Sequence, residues 1–374
     1  MSAELSAITM PKWGLAMTEG KLTAWLADVG ASLSAGDSLV EIETSKIANE
    51  FEAPASGTLL RQVAAVGETI CVGDLMGVMG AAGTSDADVD AFVEKFRAEF
   101  VPPEKSEDAD AGPAFDTATV GGKSTRYLRM GDAGGTPMLL IHGYGGDINN
   151  WMFNQPPLSA KRTVYALDLP GHGGSTKDVD GVSIADQAAF VSDFMDAVGL
   201  AKAHLAGHSM GGAICLALAL AAPQKVASIT LICSAGLGDE INTGYTEGFV
   251  NTDKRKDLKP VLELLFANPS LVTRDMIDDV LKYKRLDGVS DALRRIGAAC
   301  FAGGKQTSTF AARLGEIKAP VHAIWGEADA IIPAAHAHKI AVNHILPATG
   351  HMVHLEAANE VNELIEAFLA KAGG

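Results

Sequence analysis

Gly20, Val29, Gly30, Gly36 and Asp37 recur as Gly57, Val66, Gly67, Gly73 and Asp74, each pair at the same offset of 37 residues. A self-match of this kind marks two copies of one small unit, and its period confines the first eighty residues to a compact duplicated fold. The runs between the glycines are short, and the alternation at Leu39, Glu41 and at Thr58, Leu60 favours strands joined by tight turns. Two similar four-stranded halves then make a small all-β flattened barrel or sandwich over residues 1–80. At the junction, Glu43-Thr44-Ser45-Lys46 falls between the apolar strand residues Leu39, Val40, Ile42 and Ile47, Phe51. That spacing predicts Lys46 at a hairpin tip, exposed and reachable by a modifying enzyme. An exposed lysine is ordinarily a solvated charge and no more; the repeat around this one turns the balance the other way.

Residues 5–80 resemble a lipoyl domain of the 2-oxo acid dehydrogenase type. The likeness rests on Met10-Pro11, Gly20, Trp25, Gly30, Gly36-Asp37, the turn Glu41-Ile42-Glu43-Thr44-Ser45-Lys46 and Ala53-Pro54-Ala55-Ser56-Gly57. It implies lipoate held covalently on Lys46. The acid usual before that lysine is replaced by Ser45, while the related biotinyl domains flank theirs with methionines; Ser45 and Ile47 favour lipoate.

From residue 81 to 114 the composition shifts to Asp, Glu, Ala, Gly and Pro. Acidic, proline-bearing sequence repels itself and stays extended, so this stretch is expected to link two domains and let the first one swing. Within it Val89, Phe92, Val93, Phe96 and Phe100 follow helical spacing, with Asp90, Glu94, Lys95 and Arg97 opposite. This predicts a short amphipathic helix, capped by Asp86 or Asp88 and packed on the second domain; docking of a partner is the alternative.

The whole chain of 374 residues carries a formal net charge of -16 with a sequence pI near 5.0, which argues against a phosphate-backbone ligand, so no nucleic-acid partner is expected. Cys71, Cys215, Cys233 and Cys300 are widely spaced, with neither a disulfide framework nor a zinc pattern. No metal is expected. The N-terminus lacks a basic patch followed by an apolar core, and the most apolar run, Leu205 to Ala222, is interrupted by His208, Ser209 and three glycines. The expectation is a cytoplasmic protein with no membrane segment.

Beyond residue 115, apolar runs at Met138–Ile141, Thr163–Leu167, His204–Ala206, Val226–Ile232, Val321–Trp325 and His344–Leu346 alternate with helical stretches. Alternation predicts a mainly parallel sheet covered by helices, with its active site at the strands' carboxyl ends. Ser209 stands where a strand ends and a helix begins, in Gly207-His208-Ser209-Met210-Gly211. Glycines on both sides let the chain turn sharply and present the hydroxyl. His142-Gly143-Tyr144-Gly145-Gly146 follows another strand, so the amide of Tyr144 is expected opposite that of Met210, a donor pair for an oxyanion. Trp325-Gly326-Glu327-Ala328-Asp329 offers a carboxylate, and Gly350-His351 an imidazole. Residues 236–304 break the alternation with helices and are expected to cap the site.

This second module, residues 115–374, resembles the α/β-hydrolase family, also through Asp168-Leu169-Pro170-Gly171-His172-Gly173-Gly174-Ser175. The resemblance implies Ser209 as nucleophile, His351 as base and Asp329 as orienting acid, with Glu327 and His354 as competitors. His142, His172 and His208 are expected to support the site rather than react.

A lipoyl module fused to an α/β-hydrolase module resembles one family: the dihydrolipoamide acetyltransferase components of acetoin dehydrogenase systems. Other lipoyl acyltransferases carry His-x-x-x-Asp-Gly, which is missing here, because Asp180-Gly181 and Asp287-Gly288 follow Thr176 and Tyr283 at that spacing. The resemblance implies transfer of acetyl from lipoyl-Lys46 to coenzyme A, with a thiamine-diphosphate-dependent acetoin dehydrogenase and a dihydrolipoamide dehydrogenase as partners, in a homo-oligomer. A peripheral-subunit-binding domain has no room in the connection. Two alternatives stay open: a serine hydrolase, whether carboxylesterase or acyl-lipoyl thioesterase, and a non-catalytic lipoyl carrier or scaffold.

Overall fold

In the computed structural model the described residues are 5–11, 17, 19–43, 48–100 and 115–372. The chain divides into two compact units, Met1–Pro113 and Ala114–Gly374. Lys46 lies outside the described residues, as does the chain from 101 to 114.

The small unit contains β1 (Ser6–Thr9), β2 (Glu19–Trp25), β3 (Ser32–Leu33), β4 (Ser38–Glu43), β5 (Ala48–Glu52), β6 (Gly57–Gln62), β7 (Thr69–Cys71) and β8 (Leu75–Gly80). They form two four-stranded sheets, ordered β1-β8-β6-β3 and β5-β4-β2-β7. Each sheet draws two strands from each copy of the repeat, so the halves interlock instead of lying side by side. The repeat is visible in the hydrogen bonds: the amide of Gly30 donates to Leu59 O at 2.7 Å, and that of Gly67 to Leu22 O, also at 2.7 Å. Both glycines have φ near +90°, a conformation that side chains disfavour. Between the sheets Ile8, Met10, Leu22, Leu39, Ile42, Leu59, Met76 and Met79 are fully buried. Antiparallel pairing of β4 with β5 runs to Glu43 opposite Ala48, and Lys46 falls between these two in sequence.

α1 (Asp86–Glu99) forms where the apolar spacing placed it, but its partner surface differs from expectation. Val89, Phe92, Val93 and Phe96 pack on Leu5, Ala7, Leu60, Val63, Leu75 and Val78 of the small unit. That face of the β1-β8-β6 sheet is apolar and needs a cover, which the helix supplies. Arg61 reinforces the contact by pairing with Asp90 at 2.7 Å and Asp86 at 3.3 Å. The cap is Ser85, whose side chain accepts the amide of Asp88; Asp86 and Asp88 occupy the first turn, where they oppose the helix dipole.

The large unit runs β9 (Asp116–Val120), β10 (Lys123–Met130), β11 (Met138–Ile141), α2 (Gln155–Ser159), β12 (Val164–Leu167), α3 (Ile184–Ala197), β13 (Ala203–His208), α4 (Met210–Ala221) and β14 (Val226–Ile232). There follow α5 (Thr243–Asn251), α6 (Arg255–Glu263), α7 (Arg274–Lys284), α8 (Val289–Cys300), β15 (Val321–Gly326), β16 (Val342–Leu346), α9 (Val353–Glu356) and α10 (Ala358–Lys371). The sheet order is β16-β15-β14-β13-β11-β12-β10-β9. Strands from β12 to β16 pair in parallel, while β9 and β10 form an antiparallel edge. Every residue of β11, β12 and β13 is buried, and β11 and β12 accordingly read as unbroken apolar runs. The polar, half-exposed strands β9 and β10 gave no such signal. Four helices, α5 to α8, interrupt the alternation between β14 and β15. Among the described residues no helix is long and apolar enough to cross a membrane.

Candidate active site

Ser209 sits between the last residue of β13 and the first of α4 with φ 52 and ψ -119, a strained backbone for a residue with a side chain. Three glycines make the turn possible. A Cβ at Gly207 would lie 2.4 Å from Gly211 O, one at Gly211 would lie 2.2 Å from Ile141 O, and one at Gly143 would lie 2.9 Å from Ser209 Cβ. The turn is tied to the neighbouring strand by the Ser209 amide donating to Ile232 O at 3.0 Å.

His351 and Asp329 come together although 22 residues separate them. Nδ1 of His351 lies 2.9 and 3.0 Å from the two carboxylate oxygens of Asp329, and both side chains are almost fully buried. A carboxylate only accepts, so Nδ1 donates to it and Nε2 is the ring nitrogen that Asp329 does not engage. Asp329 is itself held by the amides of Ile331 at 2.8 Å and Ile332 at 3.0 Å. Glu327 is exposed and takes no part in this pair. His354 is buried, and neither of its ring nitrogens has a hydrogen-bond partner. Burial and the nearby His351 press its pKa down to about 3, so its ring stays neutral.

His208 precedes the nucleophile in sequence, and its ring lies 4.7 Å from that of His351 and 4.5 Å from that of His354. Its Nε2 donates to His351 O at 3.0 Å, which fixes the backbone of the histidine loop. Among the described residues no hydrogen bond joins the Ser209 hydroxyl to His351. Such bonds commonly form only once substrate is seated.

Tyr144 and Met210 are the residues expected to supply an oxyanion pair. Met210 opens α4, where the first amides have no intrahelical acceptor. The Gly143–Tyr144 backbone passes along Ser209, and among the described residues neither the Tyr144 nor the Met210 amide donates to protein. His142 holds this loop from behind: Nδ1 donates to Gly143 O at 2.8 Å and Nε2 accepts from the Leu169 amide at 3.0 Å. Tyr144 is in turn gripped by the helical insertion, its hydroxyl donating to Leu293 O at 2.9 Å and its carbonyl accepting from Tyr245 at 3.1 Å.

Two features carried no sequence signal. Cys233, at the end of β14 with φ 43, brings its sulfur within 4.8 Å of the donor atoms of Asp329 and His351. Glu356 clamps the histidine loop through backbone amides. All four cysteines are free.

The family described as alpha/beta hydrolase fold matches residues 136–358, and a biotin/lipoyl family described as biotin-requiring enzyme matches residues 6–79. The chain is 48% identical over 371 residues to the dihydrolipoyllysine-residue acetyltransferase component of the acetoin cleaving system of Pseudomonas putida, spanning 99% of this chain and all of that one. It is 45% identical to the component of the same description from Cupriavidus necator, spanning 99% of this chain and 98% of that one. In three dimensions it is similar to a meta-cleavage product hydrolase from Pseudomonas fluorescens, with a TM-score of 0.63 over 69% of this chain and 98% of that one; at 22% identity this likeness concerns the fold. A carrier-type β module and a hydrolase-type module that match these relatives end to end make the chain a member of the dihydrolipoyllysine-residue acetyltransferase components of acetoin cleaving systems.

Proposed function

We propose that this enzyme moves an acetyl group from a thioester on lipoyl-Lys46 to coenzyme A, with Ser209 as nucleophile, His351 as base and Asp329 as the acid that orients it. The observation that carries this reading is the buried His351–Asp329 pair, whose Nε2 is left free at the same end of the sheet as the strained Ser209. Residues 1–80 with α1 packed on them act as the carrier, the rest of 81–114 as the connection and 115–374 as the catalytic module, with about 236–304 as its cap.

Lys46 suits a covalent carrier because it falls between two strands paired as far as Glu43 and Ala48, and its primary amine is the group an amide-linked acid requires. Lipoate on it supplies a dithiol that holds the acyl unit as a thioester. Ser209 Oγ attacks the thioester carbonyl, forming the C–O bond, while His351 Nε2 takes the hydroxyl proton and passes it to the departing sulfur as the C–S bond breaks. The amides of Tyr144 and Met210 hold the oxyanion, each such donor being worth about 3 kcal/mol. The acceptor thiol then gives its proton to His351, its sulfur bonds the carbonyl carbon, and the Oγ–C bond breaks with the proton returned to Ser209. One thioester replaces another, so no oxidant or reductant enters. The insertion helices keep water out, since hydrolysis would waste the thioester.

Partners follow from the same reading: an acetoin dehydrogenase using thiamine diphosphate to load the arm, a dihydrolipoamide dehydrogenase to reoxidise it, and further copies of this chain. Incubating the enzyme with acetyl-dihydrolipoamide and coenzyme A tests the reaction; acetyl-coenzyme A is the expected product, and free acetate alone overturns the transferase in favour of a thioesterase. Intact mass after expression in a lipoylating host tests the carrier, with the added lipoyl mass abolished by Lys46→Arg.

A further inference from the structure

α5 carries Tyr245 and Phe249 one helical turn apart, so both side chains leave the same face of the helix, and both are buried. That face meets the loop after β11. The Tyr245 hydroxyl donates to Tyr144 O at 3.1 Å, and the Phe249 ring fills the space beside Gly145, where an added Cβ would stand 2.8 Å from it. Gly145 has φ 75, so backbone strain excludes a side chain there as firmly as the ring does. Burial pushes the Tyr245 phenol above its ordinary pKa, so the group keeps its proton and goes on donating. The start of α5 is anchored to the loop of the catalytic acid. Asn242, which caps the helix by accepting the amide of Gly244, donates from its side chain to Ala330 O at 2.9 Å and from its own amide to Ile331 O at 2.8 Å. Those two residues directly follow Asp329. One turn of helix therefore joins a grip on the acid's loop to a grip on the Tyr144 carbonyl.

We propose that Tyr245 is a positioning residue for the acyl-transfer site: by holding the Tyr144 carbonyl it aims the Tyr144 amide at the oxyanion, and through Asn242 it keeps that aim in register with the loop of Asp329. The inference rests on the reading of Ser209 as nucleophile and Tyr144 as oxyanion donor given above, and it holds whether a thiol or water takes the acyl group. Peptide groups are planar, so the direction of the residue 144 N–H is set once the planes on either side of that residue are fixed. The plane before it is held from the core, where His142 Nδ1 and the Gly146 amide both donate to Gly143 O, at 2.8 and 3.1 Å. The plane after it accepts from Tyr245. Bonds to Gly143 O alone leave the loop free to rock about that oxygen, and the second grip removes this freedom. The insertion holds the side chain of Tyr144 as well, through Leu293 O at 2.9 Å. Donors aimed beforehand at developing charge need no reorganisation during the reaction, so lost aim costs rate and leaves substrate binding intact.

The test is Tyr245→Phe in the full-length protein, which removes one oxygen and keeps the ring. Its matched control is Tyr283→Phe, which deletes another phenol that ties the insertion to a sheet loop, here from α7 to Gly171 O at 3.0 Å. For each variant, kcat and KM with acetyl-dihydrolipoamide are measured, together with the Ki of an alkylthio trifluoromethyl ketone. The carbonyl carbon of that ketone bonds Ser209 Oγ, its π pair becomes the oxyanion, and the hydroxyl proton goes to His351, so Ki reads how well the oxyanion is held. For Tyr245→Phe, kcat should fall and Ki rise by a matching factor of about ten, part of the roughly hundredfold to thousandfold that outright loss of an oxyanion donor costs, with KM changed by less than about twofold. Tyr283→Phe should leave Ki as it is. An unchanged Ki in Tyr245→Phe, or a rise shared by the control, overturns the positioning role. Should thermal melts show that Tyr245→Phe has lost its fold, Phe249→Leu, which loosens the same loop beside Gly145, is read in the same way. A wild-type enzyme that the ketone does not inhibit sinks the Ser209 reading instead, which keeps the two failures apart.

Discussion

Glu356 accepts the amide of Gly350, the residue just before His351, at 2.6 Å. Its other carboxylate oxygen accepts the amide of Ala267 at 2.8 Å, and the Met352 amide donates to Leu265 O at 3.0 Å. The histidine loop is thus pinned to the segment that follows α6. The fit is close, since a Cβ at Gly350 would lie 2.6 Å from the Ala267 nitrogen. Glu356→Gln turns one acceptor into a donor that faces an amide hydrogen. The expected cost is about 1–3 kcal/mol of stability in urea unfolding, with kcat lowered more than KM is changed. Unaltered kcat would show that the loop holds without this clamp.

Asp329→Asn retains an oxygen for the amides of Ile331 and Ile332 but sets an NH2 group toward His351 Nδ1. The imidazole then has to shift its proton to Nε2, the atom that must act as base. Turnover should fall by about a thousandfold to ten-thousandfold, while stability changes by about 1 kcal/mol. Steady-state kinetics alongside thermal melts separate the two effects. Normal kinetics would transfer the acid's role to another carboxylate.

Buried imidazoles make the fold sensitive to acid. Burial, ahead of neighbouring charges, lowers the pKa of His204 and of His322 from the ordinary 6.5 to about 4. Between those values the unfolded chain binds protons that the folded chain refuses, so stability is full above pH 6.5 and is lost as the pH falls toward 4. His322 packs on the Phe368 ring at 4.9 Å, and neither of its nitrogens has a partner. His322→Leu should flatten the acid limb of the stability profile, each such group contributing up to about 1.4 kcal/mol per pH unit. Denaturation midpoints at pH 7, 6 and 5 for both proteins would reveal the difference, and parallel profiles would refute it.

Val89 is the most deeply buried residue of α1, with 2% of its surface exposed. Val89→Asp puts an unpaired charge against Leu75 and Val78, and should release the helix at a cost of several kcal/mol. Hydrogen exchange would then show fast amides across 86–99 and along β8. The Arg61 pairs, lying at the surface, should matter much less, at about 1 kcal/mol or below.

Motifs that depend on backbone crowding were plain in the sequence. The turn at Ser209 tolerates only glycine at positions 207 and 211, so its chemistry and its spacing are written together. The duplicated glycines near +90° worked in the same way for the small unit, although they did not show that its halves interlock. Amphipathic spacing placed α1 and named its apolar face. It could not say which surface that face would meet, because periodicity describes one partner only. Ser85 was missed as cap because two aspartates follow it at once. Glu356 was illegible for another reason: it acts on amides, which every residue has, and leaves no pattern of its own.

The small family match ends at residue 79, whereas α1 ends at Glu99 and covers apolar residues on three strands of the same unit. Anyone cutting the carrier free at the family boundary would strip off its lid and leave a wet greasy sheet that invites clumping. A cut beyond Phe100 takes the lid along, and the portable piece for grafting onto other catalysts is that longer one.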